Sequence, residues 1–384
     1  FGLGKETTAM SDLHVIIVGA GILGTQHALL ALEQGHTVTL IERDPLPVSA
    51  SVRNFGLVWL SGRRPGDEMA LARRSRTRWE EVARSVPGLD FRPAGSLTCA
   101  RTVEEVDVIA AYAQLADKRG LAIDLLTPAQ VQKIAPAVRG NVLAAVYCHD
   151  DAIVEPRLAA PTLMQHITAH PNAHVDNGHL VTSFRSTNFG VRVETTAGPR
   201  TGDVLIGCPG AEHQGPFAEL LEHAPLQRCR LEMLETAPLP TGGLPCALAD
   251  GDSMRYYPGF SELPEAALLQ PADPLVDKER LQLLVAPRLD GGLTVGDSHL
   301  YDEPFPFDLN EQIANHWLAT LSDLLGSPAP AVTRRWWGVY SKYTGDGPYL
   351  RVNPVPNVHV VTGVAGMGMT VSAGVALDTM EFLT

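Results

Sequence analysis

The stretch from His14 to Glu42 constrains this chain more than any other. Val15, Ile16, Ile17 and Val18 form an unbroken apolar run, as a parallel strand buried on both faces requires. The run ends at Gly19-Ala20-Gly21-Ile22-Leu23-Gly24, a G-x-G-x-x-G turn. A helical pattern over 25–34 follows, then a second apolar strand over 37–41 closed by Glu42. Gly19 permits the tight turn, Gly21 lets backbone approach a pyrophosphate, and Gly24 lets helix pack on strand. The free N–H groups at the helix start hold phosphate. Glu42 stands eighteen residues after Gly24, close to the roughly 20 at which a carboxylate grips a ribose hydroxyl. Together these features specify a dinucleotide site. An acid rather than a base after the second strand favours FAD or NAD over NADP.

At 384 residues the chain is long for one core and suggests two domains. Basic residues number 30 and acidic ones 43, for a net charge of −13, which disfavours nucleic acid and anionic membranes as partners. A local Arg/Lys cluster still permits a small anionic substrate. Cys99, Cys148, Cys208, Cys229 and Cys246 are scattered, without a C-x-x-C, and read as reduced thiols of a cytoplasmic protein. The histidines show neither H-x-H nor H-E-x-x-H, so no metal site is expected. No apolar run approaches the roughly 18 residues of a membrane span. Residues 1–9 lack a signal-peptide profile and are expected to be an added leader, with the native start at Met10.

Along the chain, Ser49 to Gly56 reads as a small-residue loop near a ligand, with Arg53 placed to meet a phosphate. Helices are expected over 68–84, 103–118, from Pro156 to about 170, and over 309–325; Thr127 and Pro128 start another. Short strands are expected over 91–98, 142–147, 181–184 and 191–194, the last two forming a hairpin around Asn188-Phe189-Gly190. A second sheet draws on 226–235, 255–257, 281–285, 293–295 and 331–340. His149, Asp150 and Asp151 read as a surface turn. Near the end, an apolar strand over 358–363 runs into Val364-Ala365-Gly366-Met367-Gly368 and a helix over 369–382. Two strand–glycine–helix units near the two ends imply one nucleotide domain built from both, interrupted by a substrate domain.

On these motifs the chain resembles the D-amino-acid-oxidase-like flavoprotein family, which includes glycine and sarcosine oxidases. The resemblance runs from His14 to Phe382. Ala50-Ser51-Val52-Arg53-Asn54-Phe55-Gly56 resembles the family's A-S-x-R-N-x-G loop, and Ile153-Val154-Glu155-Pro156-Arg157-Leu158 its V-x-P-x-x-L element. Residues 203–211 resemble the strand that runs into A-G-A. Asp290 to Gly296 resembles the D-G-x-L-x-V-G hairpin. Trp337-Gly338-Val339-Tyr340 with Thr344-Gly345-Asp346-Gly347-Pro348 resembles W-x-G-x-R-P-x-T-x-D-G-x-P, and Gly363 to Met369 the closing flavin turn.

The resemblance implies an α/β fold: a Rossmann-like FAD-binding domain with a parallel sheet, plus an α+β substrate domain with a mixed or antiparallel sheet. The FAD domain is expected to comprise 10–90, 148–222 and 335–384, and the substrate domain 91–147 and 223–334. It implies FAD contacts from Gly19, Gly21, Ile22, Gly24, Glu42, Arg43, Ser51, Arg53, Asn54, Phe55, Gly56, Val181, Gly210, Gly338, Gly363, Gly366, Met367, Gly368, Met369 and Thr370. It also implies oxidation of a C–N bond, with hydride passing from the carbon beside the amine to flavin N5. The helix starting near Gly368 would aim N–H groups at the flavin and stabilise its reduced charge.

Two departures matter. Where many relatives place an Arg that forks a substrate carboxylate, this chain has Tyr340, and a phenol does not bind carboxylate bidentately. Met367 replaces the His of the closing turn, and no Cys lies between Tyr340 and Tyr349, so FAD is expected to be non-covalent. Phe55 to Trp59, Gly62-Arg63-Arg64-Pro65-Gly66 and Trp336 to Lys342 resemble the branch associated with organophosphonate breakdown. That branch implies 2-aminoethylphosphonate, or its N-methylated form, oxidised to phosphonoacetaldehyde. Tyr340, Lys342 and Met367 are the candidate catalytic residues; Arg63, Arg64, Tyr256, Tyr257, Tyr340 and Lys342 the candidate substrate contacts. Oxygen or another acceptor would reoxidise the flavin. The alternatives are a small secondary or D-amino acid as substrate, or a non-catalytic flavin-binding component of a larger dehydrogenase.

Overall fold

The computed structural model describes residues 12–240 and 243–383. The leader expected at 1–9 and the start expected at Met10 lie outside the described residues. The strand His14–Val18 pairs in parallel with Thr37–Glu42 on one side and Val204–Gly207 on the other. Ala173–Asn177 extends one edge, and Val358–Thr362 the other, with Leu350–Val355 antiparallel outside it. The two ends of the chain therefore meet in one six-stranded sheet. Val15, Ile16 and Ile17 are fully buried within it, which is why the run reads as continuous rather than alternating. The helix Ile22–Glu33 packs against Pro156–Thr168 and against the closing helix Gly368–Leu383. The closing helix also packs against Asp67–Ser85, so closely that a Cβ on Gly374 would stand 2.9 Å from Leu71 O. The fully buried Trp79 donates from Nε1 to Met369 O at 2.7 Å, satisfying its one polar atom.

The second sheet has eight strands, in the order Val332–Tyr343, Leu226–Thr236, Leu293–Gly296, Leu284–Pro287, Ala247–Ala249, Ser96–Ala100, Ala144–Cys148 and Ile123–Leu126. It is antiparallel except where Ala247–Ala249 runs parallel to Ser96–Ala100. Period-two alternation divides its residues between two cores. Leu97, Leu248, Val285 and Val295 pack with Trp317 and Leu321 of the helix Glu311–Leu325. Ala247, Ala249, Leu284 and Ala286 face the other core, with Trp59, Tyr257, Phe260 and Tyr340. The mixed α/β architecture matches the expected fold class. A further hairpin, Val181–Thr187 with Gly190–Thr195, adds Arg200–Gly202 as a third strand. Val332–Tyr343 pairs with Leu226–Thr236 along its length and so runs across the division expected at 335.

Three local expectations are corrected. Residues 255–257 are not a strand: Gly251–Tyr256 is a helix, whose N-terminus Asp250 caps by accepting from Ser253 N. Side-chain capping there outweighs the aromatic strand preference of Tyr256 and Tyr257. The helix expected over 103–118 is two pieces, Val103–Gln114 and Ala116–Arg119, broken at Leu115. Asp151, expected on a surface turn, is buried. Its carboxylate accepts from Leu60 N at 2.5 Å, Ser61 N at 3.0 Å and Ser96 Oγ at 2.6 Å, and also from Ser61 Oγ. Those bonds fasten residues 60–61 to the start of the Ser96–Ala100 strand inside the eight-stranded sheet. The start expected at Thr127 and Pro128 stands, completed by a capping box with Gln130.

Candidate active site

The glycine turn is forced by close approach. Gly19 has φ +101°, and a Cβ there would lie 2.5 Å from Cys208 O. A Cβ on Gly24 would lie 1.8 Å from Gly19 O. Glu42, buried, accepts from Ala20 N at 2.7 Å through Oε2 and from Asp44 N at 3.1 Å through Oε1. Ser51 Oγ accepts from Ile22 N at 2.9 Å, so the 49–56 loop closes directly over the start of the first helix. That loop is held from below. Asn54 bonds Ala50 O, Ser51 O and Gly56 N, while the buried Arg288 donates to Phe55 O at 2.5 Å and pairs with Glu155 at 3.2 Å.

A cavity of about 590 Å³ runs from this turn to the second sheet. Its first wall holds Gly21, Ile22, Ser51, Arg53, Asn54 and Phe55; its second holds Gly363 to Thr370 with Gly210 and Gly338. Several of these glycines leave open space: no heavy atom lies within 4 Å of a Cβ built on Gly210, and one on Gly366 would meet the Tyr340 ring no closer than 3.8 Å. The N-terminus of the closing helix also faces the cavity through Gly368, Met369 and Thr370. A cradle of glycines joining two helix N-termini is what a dinucleotide with a flat, electron-accepting ring needs.

The far end of the cavity is built from side chains on separate elements. Tyr256 and Tyr257 come from the 251–257 segment, Gln282 from just before the Leu284–Pro287 strand, Asp297 and His299 from just after the Leu293–Gly296 strand, Tyr340 and Lys342 from the long strand, and Arg63 and Arg64 from the 62–66 turn. Tyr340 is buried against Cys229, its cross-strand partner. Burial pushes the Cys229 thiol up to about 11, leaving it protonated and a weak nucleophile. Burial likewise pushes the Tyr340 and Tyr256 phenols well above their ordinary value. Lys342 Nζ lies 5.2 Å over the Tyr301 ring and, among the described residues, has no carboxylate within ion-pair distance. Arg63 lies 4.9 Å over Tyr257 and 3.6 Å from Glu68. Tyr256 stacks on His299 at 4.3 Å.

Not every expected contact reaches this cavity. Arg43 instead points outward to Glu212, at 3.2 Å, and to Asp44. Val181 is buried with Ile16, Ile41 and Phe217. Gly56 is required for packing, since a Cβ there would stand 1.9 Å from Val154 O. Arg53 lines the cavity, but its guanidinium is spent on Val48 O at 2.7 Å and Trp337 O at 3.1 Å. Thr370 Oγ1 accepts from Trp59 N and donates to Leu57 O, tying the closing helix to the 57–59 segment. Arg64 reaches the rim with a largely exposed guanidinium 2.8 Å from Glu262. Among the cavity residues missed from sequence are Trp59, Gln282, Asp297 and His299. The last two stand two apart after the 293–296 strand, and nothing in their spacing marks them.

Comparison with known proteins agrees with this geometry. The family described as FAD dependent oxidoreductase (DAO) matches residues 14–381. The chain is 25% identical over 224 residues to one component of the anaerobic glycerol-3-phosphate dehydrogenase of Escherichia coli (strain K12), covering 56% of this chain and 41% of that protein. It is 28% identical over 153 residues to one component of the opine oxidase of Rhizobium meliloti, covering 37% of this chain and 41% of that protein. The chain thus spans about two-fifths of the length of these curated relatives. Glycine oxidase from Geobacillus kaustophilus shares the fold, with a TM-score of 0.77, 18% identity, and 96% and 94% of the two chains covered.

Proposed function

The chain belongs to the FAD-dependent oxidoreductase (DAO) family, and from that premise we propose that it oxidises a small amine whose other end is an anion. The fit of the cradle to FAD rests on the open glycines at 210, 366 and 368 and on the two helix starts. Gly21, Ile22 and Ser51 would hold the pyrophosphate, Glu42 would order the turn, and Gly363 to Thr370 would surround the flavin. Bound FAD supplies the two-electron acceptor for a hydride leaving the carbon beside nitrogen. Binding is non-covalent in this reading, which the raised, buried thiols of Cys229 and Cys208 support.

One observation carries the substrate class: Lys342, a cation without a carboxylate partner among the described residues, lines the cavity beside Tyr340. An ammonium and a phenol hold a tetrahedral oxyanion as point contacts, whereas planar carboxylate recognition favours an Arg fork. The reading therefore favours 2-aminoethylphosphonate or its N-methylated form. Lys342 and Tyr340 would anchor the phosphonate, with Arg63 as a further cation. Tyr256 and Tyr257 would pack the chain between anion and amine. Met367 would cover the reacting face and exclude water. Hydride loss leaves an iminium, which water hydrolyses to phosphonoacetaldehyde and ammonia or methylamine. In this reading oxygen or another electron acceptor reoxidises the enzyme.

A second reading, oxidation of a small secondary or D-amino acid, is favoured by the fold shared with a glycine oxidase and by the partial match to an opine oxidase component. Because both curated relatives are parts of multi-component enzymes, they keep open a place in a larger dehydrogenase. Turnover of N-methyl-2-aminoethylphosphonate, sarcosine and D-alanine by the isolated chain, with an artificial electron acceptor, separates the three. Turnover of the phosphonate supports the first reading. Turnover of an amino acid alone contradicts it, and no turnover on any donor points to the role of a component in a larger complex.

A further inference from the structure

Hydride leaves only from a neutral amine, but small amines reach an enzyme as ammonium ions. Something must take that proton. We propose that His299 is the group that receives it, with Asp297 balancing the charge that results; this rests on the amine-oxidation reading above.

The hydrogen-bond directions carry the assignment. His299 Nδ1 lies 2.9 Å from Arg280 O, and a carbonyl can only accept, so Nδ1 carries a hydrogen. The remaining nitrogen, Nε2, faces Asp297 Oδ2 at 3.6 Å. That is beyond hydrogen-bond length, so an N–H from a third group can approach Nε2 and Oδ2 together. Asp297 Oδ1 is already engaged, accepting from Gln282 Nε2 at 2.8 Å, which fixes the carboxylate with Oδ2 toward the imidazole. Both residues are nearly fully buried, yet both line the cavity. The Tyr256 ring, stacked at 4.3 Å, holds the imidazole plane.

The charged surroundings are asymmetric. Arg280 touches His299 only through its backbone and through a bond from Nη1 to His299 O. Arg63, paired with Glu68, and Lys342 line the same cavity, as do the neutral phenols of Tyr256, Tyr257 and Tyr340. Of the lining carboxylates, Glu68 is engaged by Arg63, which leaves Asp297 to meet a cationic amine. Burial raises the Asp297 carboxyl above its ordinary range, consistent with a site that gains by receiving positive charge. In the step, the substrate N–H bond breaks and an H–Nε2 bond forms. The electron pair stays on the amine nitrogen, and the imidazolium faces the Asp297 carboxylate. No electron changes hands until hydride leaves carbon.

The test is the pH dependence of flavin reduction under anaerobic conditions, in the FAD-loaded full chain at saturating N-methyl-2-aminoethylphosphonate, and again with sarcosine. His299→Asn keeps an amide N–H for Arg280 O; Asp297→Asn keeps an acceptor for Gln282. Wild type should reduce at a nearly constant rate between about pH 7 and about pH 9. His299→Asn should lose about 1000-fold at about pH 7 and regain about tenfold per pH unit, approaching wild type near the amine's own pKa of about 10. Asp297→Asn should show a smaller loss of the same shape. Profiles parallel to wild type, however depressed, would overturn the inference and leave the amine reading intact. A wild-type flavin that neither amine bleaches at any pH would remove the amine reading, and this inference with it.

Discussion

At the nucleotide end of the cavity, Gly19 to Gly24 and Gly363 to Gly368 present backbone: N–H groups, open glycines and two helix starts. At the substrate end, Tyr256, Gln282, His299, Tyr340 and Lys342 present side chains drawn from distant parts of the chain. At Gly19 and Gly24 the first end tolerates no added atom, because backbone meets backbone, while Gly210, Gly366 and Gly368 keep space open toward the cavity. The second is adjustable, because side chains such as Tyr340 and Lys342 can change while their strand stays paired. A cofactor common to a family and a substrate particular to one member call for this division.

The contrast predicts a steep gradient of mutational effects. Gly24→Val, whose Cβ would lie 1.8 Å from Gly19 O, should abolish FAD loading and destabilise the fold by about 3 kcal/mol or more. Flavin absorbance per polypeptide and a thermal melt check this. A yellow, stable variant would mean that the turn is not backbone-limited.

His27 lies beneath the same cradle, fully buried, with Nδ1 on Leu23 O at 2.7 Å. Burial depresses its pKa from 6.5 to about 4, so the folded state holds it neutral while the unfolded chain takes up a proton. The unfolded state therefore binds more protons between those values, and stability falls as pH drops through that window, by about 3 kcal/mol in total. His27→Leu should flatten the acid limb of stability measured by denaturant titration between about pH 6.5 and about pH 4. An unchanged limb would place the acid sensitivity elsewhere.

At the substrate end, Lys342→Met should raise KM for N-methyl-2-aminoethylphosphonate by about 10- to 100-fold, the loss of one charge-assisted contact. The melting temperature should barely move. A fall in kcat at constant KM would shift Lys342 from anchoring to chemistry. The smallest effect should come from Arg64→Ala. Its exposed pair with Glu262 is worth about 0–1 kcal/mol, and KM should stay within about twofold. A larger change would bring the rim arginine into the binding set.

The same contrast decides what is legible from sequence. The backbone end announces itself because its physics demands glycine at fixed spacing: Gly19 for its φ, Gly24 for its contact, Glu42 for its bonds to Ala20 and Asp44. Parallel strands announce themselves through unbroken apolar runs. The substrate end carries no spacing rule. His299 and Asp297 meet Tyr256 only after two elements fold together, so their adjacency is a tertiary fact. Tyr340 and Lys342 are legible because a strand puts alternate residues on one side. Arg43 points outward to Glu212 because position near a motif does not fix the direction of a side chain. Asp151 reads as surface in the sequence because its four hydrogen-bond donors come from two other segments.

The central claim is that one cavity joins an FAD cradle to an anion-anchored amine site. Anaerobic mixing of the FAD-loaded chain with N-methyl-2-aminoethylphosphonate tests it most directly, with flavin absorbance followed in wild type and in Lys342→Met. The account predicts rapid bleaching in wild type, and in the variant the same final bleaching only at about 10- to 100-fold higher substrate. Bleaching at equal substrate in both would contradict the anchor, and an unbleached wild-type flavin would contradict the claim as a whole.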